Sequence, residues 1–422
     1  MKKRNVVLII ISIVLIIGAV LAYFWVKNNT SILTTKIPES DLVSNNLNTE
    51  SKEAFKLYET EIDGKKLNLP EGFSVNVFAR DIGSARFMSS NENNVIFVGT
   101  KDNDKIYALK DYDNDGVAEQ KNIIDKELNK PHSVFYFEGD LYLGEENRVS
   151  VYRDINDDGT FSAKEILVDN LPSGNRLTGG GHNTRTVVIG PDRKMYVSIG
   201  STCNVCEEDD DRRATIMRYN LDGSDEEIYA TGLRNTVGYL FDGDEIIGVD
   251  MGRDQIGDDI PPEEINIIEQ GKDYGWPYCY GDNVNNPEYP DRSSYCANET
   301  EAPVFNMQAH SAPLGISMLN ESAKSTWPAE YSDGYFIAFH GSWNRTIPTG
   351  YKVVFVDKSD GEYKQYNFIS GWLEENAQSW GRPVAMTFDS KGNMYLSDDK
   401  TGSIYKISYE SKVLSYSSRL PK

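Results

Sequence analysis

The chain has 422 residues, with 43 Lys plus Arg against 65 Asp plus Glu, a formal net charge of -22 and 39% hydrophobic residues. That apolar fraction is enough for a packed core and excludes a disordered chain, and the length holds one large or two ordinary domains. A protein this acidic repels a phosphate backbone, which excludes nucleic acid as a partner unless a local basic patch exists.

At the N-terminus, residues 6–26 (VVLIIISIVLIIGAVLAYFWV) are uncharged, and about 20 apolar residues span the hydrocarbon core of a bilayer. Lys2, Lys3 and Arg4 precede the span and favour the inside, so the rest of the chain is expected outside the cytoplasm. No small-residue cleavage site follows and no cysteine is there to be lipidated. Residues 1–27 are therefore expected to be a retained signal-anchor helix, with a cleaved signal as the alternative. Residues 28–68 are polar and rich in Ser, Thr, Asn and Lys, the composition of a linker that lifts a domain off the membrane. The domain is expected over 69–412, followed by a tail at 413–422.

From about residue 72 helical periodicity is nearly absent, and short β-branched and aromatic runs alternate with Gly, Asp and Asn. Six copies of one unit recur. The strand after each turn reads NVIFVGT, DLYLGEE, KMYVSIG, EIIGVDM, GYFIAFH and NMYLSDD, and the following strand reads KIYALKD, RVSVYRD, TIMRYNLDG, EINIIEQG, YKVVFVD and SIYKISY. A sixfold repeat of this kind predicts an all-β, six-bladed propeller, each blade a four-stranded sheet around a central channel. The extra run FSVNVFARD at 73–81 has no blade of its own and is expected to close the ring on the C-terminal unit. Irregular insertions, above all 271–310, are expected on the functional rim.

Two loops between these strands resemble calcium loops. DINDDGTFSAKE offers Asp154, Asn156 and Asp158 at alternate positions, Gly159 at the turn and Glu165 at the close. DYDNDGVAEQ offers Asp111, Asp113, Asp115 and Gly116 without an acid at the twelfth position. Calcium binding and plain Asx turns both account for them. The four cysteines, Cys203, Cys206, Cys279 and Cys296, suit an oxidising compartment, with 203–206 and 279–296 as the expected pairs. A zinc site is the weaker alternative, since CNVC lacks a second CxxC. Asn298 heads the sequon NET, a surface-loop signal.

The residues leading into the first strand of each unit are Arg86, His132, His182, Arg234 with Asn235, His310, and Arg382. In a propeller such equivalent positions converge on one channel mouth. His340, the remaining histidine, ends a strand that can face the same mouth. An acidic protein that gathers cations at one opening is arranged to hold an anion.

The motifs GGGHN, IGPDRKMYVSIG, TGLRNTVG, EEINIIEQGKDYGWP, HGSWNR and GRPVAMTFDSKGNMYLSDD resemble the glucose/sorbosone dehydrogenase family, the soluble quinoproteins that bind pyrroloquinoline quinone (PQQ) on a six-bladed propeller. The likeness runs from about 70 to 410. It implies that His182 is the base that takes the proton of a sugar C1 hydroxyl while hydride passes to C5 of the quinone, a role suited to an imidazole. Arg234 matches the cation beside the quinone C5 oxygen, Asn235 its neighbour, and Arg382 one of a pair gripping the cofactor carboxylates. Arg345 falls where the family has a lysine over the cofactor. His310 and His132 fall near cofactor-side positions.

The family also carries a bridging Ca2+, partly on backbone carbonyls. Gly252 is the match, with Asp250, Asp254, Asp258, Asp259 and Glu264 as nearby acidic candidates. Three departures stand out: Val384 replaces the second cofactor arginine, Gly181 replaces an acid before the histidine, and Arg253 replaces a proline. The segments STCNVCEEDDDRR and WPYCYG belong to the sorbosone-type branch, so glucose is not assumed as substrate.

The resemblance therefore implies a membrane-anchored, outward-facing PQQ-dependent dehydrogenase that oxidises an aldose or related sugar at C1 and passes electrons to an external acceptor. Dense aromatics in YGWPYCYG and GSWNR could form a sugar-stacking wall or belong to the core. Two alternatives are a calcium-dependent lactonase and a non-enzymatic propeller that binds a glycan or protein. The cation cluster around His182, Arg234 and Arg382 separates them, because only a quinone site needs it.

Overall fold

The structure, a computed structural model, describes residues 53–174 and 181–410. Among these no helix is long and apolar enough to cross a membrane. The expected anchor at 1–27 and tail at 413–422 lie outside the described residues.

Six four-stranded antiparallel sheets form the blades of a propeller. From the channel outward, blade I is Ala85–Ser90, Ile96–Thr100, Lys105–Lys110 and Gln120–Lys126. Blade II is Ser133–Phe137, Asp140–Glu145, Arg148–Arg153 and Ala163–Val168. Blade III is Arg185–Ile189, Lys194–Ile199, Thr215–Asn220 and Glu227–Ala230. Blade IV is Gly238–Asp242, Glu245–Asp250, Glu263–Ile268 and Phe305–Met307. Blade V is Pro313–Ser317, Gly334–Phe339, Lys352–Asp357 and Lys364–Ile369. Blade VI is Pro383–Phe388, Met394–Asp398, Ser403–Tyr409 and Phe73–Ala79. Each innermost strand touches those of the two adjacent blades, so the ring is closed. The expected closure holds: Phe73–Ala79 pairs antiparallel with Ser403–Tyr409.

The physical logic is plain in the second strands. Ile96–Thr100 and Gly334–Phe339 are buried at every position, because neighbouring blades cover both faces. Such strands read as continuous apolar runs and not as alternations. Their hairpins use residues that tolerate positive φ, as at Glu138 and Gly139 (φ 50° and 91°) between the first two strands of blade II. Two such central residues match the twist of the flanking strands.

One boundary differs from expectation. Residues 57–68, read as linker, fold with 69–70 as a hairpin of Leu57–Ile62 on Lys65–Pro70. Its Asn68 exchanges both backbone hydrogen bonds with Ser370, at 2.8 and 3.1 Å. Leu67 and Leu69 are buried in the largest apolar cluster with Trp372 and Phe368. Two alternating leucines within a lysine-rich stretch were the signal, outweighed by the polarity around them.

The insertion 271–310 holds a small hairpin, Cys279–Tyr280 on Val284–Asn285, a short helix at Ser293–Asn298 and the outer strand of blade IV. Cys203–Cys206 and Cys279–Cys296 are disulfides with Cα atoms 6.1 and 5.7 Å apart, which removes the zinc alternative. Residues 375–378 belong to a second unit and form a turn closed by the Gln378 N–H on Asn376 Oδ1.

Candidate active site

The loops leading into the inner strands and the ends of the second strands meet around a cavity of about 250 Å³. His182, Arg234, Asn235, Gly252, Asp254, His310, His340 and Arg382 all line it, and so do Arg86, Lys101 and Trp343. Beneath it Val237, Leu314, Val384 and Ala385 form an apolar floor with Phe87 and Met251. Val384, which stands where the family likeness leads one to look for a second arginine, is fully buried in that floor. Blade I supplies cations to the cavity instead, from Arg86 and Lys101.

His182 docks on the segment that leaves the second strand of blade III. The Gly181 N–H donates to Thr202 O at 3.1 Å, and His182 Nδ1 lies 2.9 Å from Ser201 Oγ. A Cβ on Gly200 would come within 2.6 Å of both His182 Cβ and Asn235 Oδ1, so glycine there makes room for the ring. Two guanidiniums hold the His182 carbonyl, Arg213 at 3.2 Å and Arg185 at 3.3 Å. Arg185 is fully buried, and its pKa is pushed down to about 9 by burial and by Arg213. Burial, then the Arg234 charge, drives the His182 imidazole well below its ordinary value. It is neutral near pH 7, as a proton acceptor must be.

Arg234 is 5% exposed and heavily committed. Nε and Nη2 donate to Asn204 O and Oδ1 at 3.1 and 2.9 Å, Nη1 donates to Gly252 O at 2.8 Å, and Asp254 Oδ2 lies 3.4 Å from Nη2. Asp250 accepts from the backbone N–H groups of Arg234 and Asn235 and from the Thr236 hydroxyl. Burial raises its pKa to about 6 against these bonds. Asp250 is thus the anchor of the 234–236 turn.

On the opposite side, Arg86 donates to Asp399 Oδ2 at 2.8 Å, and Asp399 accepts from His340 Nε2 at 2.9 Å. Burial alone would raise the Asp399 pKa, but His340 and Arg86 outweigh it and hold the carboxyl well below the usual range. Arg382 donates through Nε and Nη2 to the carbonyls of His340 and Gly341, which leaves Nη1 without a partner among the described residues. The Lys101 ammonium likewise has no hydrogen-bond or ion-pair partner among them. Burial and then Arg86 lower its pKa.

Several expected site residues are elsewhere. His132 is fully buried below the mouth, its Nδ1 accepting from Arg86 Nε at 3.3 Å; the repeat position fixes the loop, and the ring turns inward to pack on Phe87. Arg345 is spent on the rim, donating to Asp258 O, Ile347 O and Asp259 Oδ1. His310 lines the cavity, but its Nε2 is tied to Gly257 O at 2.7 Å. Of the YGWPYCYG aromatics, Tyr274 and Trp276 are buried in the core, and half-buried Tyr278 is engaged by Glu207 and Arg292.

The calcium candidates do not converge. Asp258 and Asp259 face Thr346 and Arg345 at the rim. Glu264 is buried, accepting from the Gly281 N–H and from Asn266, and burial raises its pKa to about 8. Asp254 accepts from Asn344 Nδ2 at 2.8 Å, and the Gly252 carbonyl is taken by Arg234. Arg253 points away to Asn286 and Glu288. These groups do not fit a carboxylate-bound calcium.

The loop at 154–165 is a set of Asx turns. Asp158 accepts from Thr160 N and Oγ1, Asn156 donates to Thr160, and Asp154 accepts from Ser162. Glu165 lies on a strand and pairs with Arg153 at 2.9 Å. The other loop gathers carboxylates more closely: oxygens of Asp111, Asp113, Asp115 and Glu119 lie within 4.8 Å of one another.

Sequence reasoning missed Lys101, Asp399, Ser201 and Asn204. The first three follow the second strand of their blades, the partner of the position that was read; a second column of the repeat would have found them.

A family model described as TrAA12-like matches residues 67–410. An uncharacterized protein of Borreliella burgdorferi is 31% identical over 362 residues, covering 82% of this chain and 91% of the relative. The holo form of the pyranose dehydrogenase PQQ domain from Coprinopsis cinerea superposes with a TM-score of 0.69 at 18% identity, over 82% of this chain and 97% of that one. The calcium structure of a Trichoderma reesei carbohydrate-active enzyme of family AA12 gives 0.66 at 21%, over 81% and 96%. At these identities the structural likeness is one of fold.

Proposed function

This chain belongs to the TrAA12-like family, and from that premise we propose that it is a PQQ-dependent dehydrogenase oxidising the C1 hydroxyl of an aldose or related sugar. The observation that carries the reading is a neutral, half-buried His182 beside Arg234 in a cavity whose Lys101 and Arg382 lack carboxylate partners among the described residues.

The cavity fits the quinone as an anion. Charge-assisted hydrogen bonds from a half-buried ammonium and guanidinium are the contacts a polycarboxylate needs, and the apolar floor of Val237 and Leu314 suits a flat ring system. Arg382, Lys101 and Asn235 would hold it. When bound, PQQ supplies a two-electron acceptor.

The protein's own residues do the rest. His182 Nε2 would accept the proton of the C1 hydroxyl as C1 loses its own hydrogen together with the bonding pair, as hydride, and becomes a carbonyl carbon. Arg234, held rigid by Asn204 and Gly252, presents fixed positive charge where negative charge builds, which stabilises the transition state more than the ground state. Trp343, 71% exposed at the cavity lip, offers an apolar face to a sugar ring. The described carboxylates around this cavity do not converge, which leaves a calcium-dependent lactonase without a metal-binding centre there. Nor does a glycan-binding scaffold need a depressed imidazole beside a guanidinium.

The same reading keeps the domain outside the cytoplasm on an N-terminal anchor, delivering electrons to an external acceptor; two disulfides support an oxidising compartment. The test is the purified domain from about residue 45, loaded with PQQ and assayed for dye reduction with a panel of aldoses. Quinone-dependent turnover that His182→Ala abolishes supports the reading. Absence of quinone binding and turnover overturns it.

A further inference from the structure

His182 and Arg234 enter the cavity from different blades, yet one short ring of chain, Cys203-Asn204-Val205-Cys206, closed by its disulfide, holds Arg234 directly and reaches His182 through Ser201. The ring lies outside any strand or helix, so no β-ladder fixes its backbone; the cross-link does.

Consider the proton on Ser201. Its hydroxyl donates to Cys203 O at 2.8 Å. A hydroxyl has one proton to give, so toward His182 Nδ1 at 2.9 Å the Ser201 oxygen can only accept. The imidazole must carry its hydrogen on Nδ1, and the Nε2 lone pair is left as the basic site. Without that carbonyl the serine could turn and donate to Nδ1, moving the imidazole hydrogen to Nε2 and removing the base.

The next residue does the matching work on Arg234. Asn204 accepts from its Nε through the backbone oxygen and from its Nη2 through the side-chain oxygen. Asn204 Oδ1 also accepts from the Asp254 N–H at 2.8 Å, and Asn204 Nδ2 donates to Asp254 O at 3.1 Å. Thr202 ties the other side of the ring to Glu208 through its N–H and hydroxyl, at 2.7 and 2.6 Å.

We propose that the 203–206 disulfide ring is a positioning element that sets the His182 tautomer through Ser201 and Cys203 O, and the Arg234 guanidinium plane through Asn204. It rests on the proposed dehydrogenase reading for its purpose but not for its test. Ser201 and Asn204 are positioning residues.

The first readout needs no quinone. The chain has four histidines, so imidazole 15N resonances of the purified domain can be assigned with one His→Gln variant each. The expected result is a single Nδ1–H tautomer for His182 in the native domain. Ser201→Ala and the Cys203→Ala/Cys206→Ala double variant should each show a mixture containing Nε2–H, with the other three histidines unchanged. Asn204→Ala, which keeps the backbone acceptor of Nε, should leave the tautomer alone and speed exchange of the Arg234 Nη2 hydrogens. With quinone and sugar, Ser201→Ala should lower kcat with little change in KM. A His182 tautomer unaltered in both Ser201→Ala and the cysteine double variant overturns the proposal, whatever the turnover. A shifted tautomer in a domain that oxidises no sugar supports the positioning role and sinks the dehydrogenase reading.

Discussion

The two sides of the cavity mouth are built from the same repeat positions and do opposite things with them. On the side of blades III and IV, His182 meets a serine and Arg234 meets carbonyl and amide oxygens. On the side of blades VI and I, His340 meets the Asp399 carboxylate, which also takes Arg86. Burial keeps both imidazoles neutral near pH 7, but the carboxylate partner engages His340 at Nε2, whereas the hydroxyl partner engages His182 at Nδ1 and leaves its Nε2 open. What an imidazole can do here is decided by the one atom behind it. The cations divide in the same way: Arg234 is fully committed, while Lys101 and Arg382 Nη1 have no hydrogen-bond partner among the described residues.

The largest expected effect tests that division directly. His182→Ala should lower turnover by about 10²–10⁴-fold, the usual worth of a general base. His340→Gln, which can still donate to Asp399, should cost far less. Equal losses in steady-state dye-reduction assays would erase the difference between the two sides.

Next in size, Lys101→Ala and Arg382→Ala should each weaken quinone binding by about 10–100-fold, since a hydrogen bond to a charged group contributes roughly 1.5–3 kcal/mol. Calorimetry on the quinone-free domain measures this without any sugar.

The pH dependence sharpens it further. Because His182 is depressed below its ordinary 6.5, the acid limb of kcat/KM should lie below that value, where protonation disables the base. Arg234→Gln removes a repelling charge and should move the limb upward. Stability has the same sign: the unfolded imidazole takes a proton as pH falls through about 6.5 and the folded one does not, so stability is lost on acidification. Chemical denaturation at about pH 7 and pH 5 should show His182→Gln losing less of it than the native chain.

The smallest effect lies far from the mouth. Glu165→Gln removes an exposed pair with Arg153 and should cost at most about 1 kcal/mol, with no change in turnover. A thermal melt that depends on calcium through Glu165 would contradict the Asx-turn reading of that loop.

The sequence made the second and third strands legible because burial on both faces turns them into apolar runs. Outer strands such as Gln120–Lys126 are largely exposed and carry no comparable signal. The Phe73–Ala79 closure was legible as a strand left over from a count of blades. Repeat position identified the loops carrying His182, Arg234 and Arg382, but a loop says nothing of depth. His132 occupies an equivalent position and turns under Arg86. The family likeness suggested a metal on the acidic run after Asp250; in space those acids turn to separate partners, Asp254 to Asn344, Asp259 to Arg345, and Glu264 to the Gly281 N–H and Asn266. Lys101 and Ser201 went unseen because their residue types are ordinary and only their partners give them a role.

The strand that closes the ring has a consequence for how the chain is made. Phe73–Ala79 is among the first segments of the propeller to leave the ribosome, and its partner Ser403–Tyr409 is among the last. Five blades can be assembled on the nascent chain while this strand waits with an unpaired edge, a template for pairing with another chain. A message truncated before the codons for Ser403–Tyr409 therefore leaves two exposed edges, one at each end of the ring, and should yield aggregates in place of a shortened propeller.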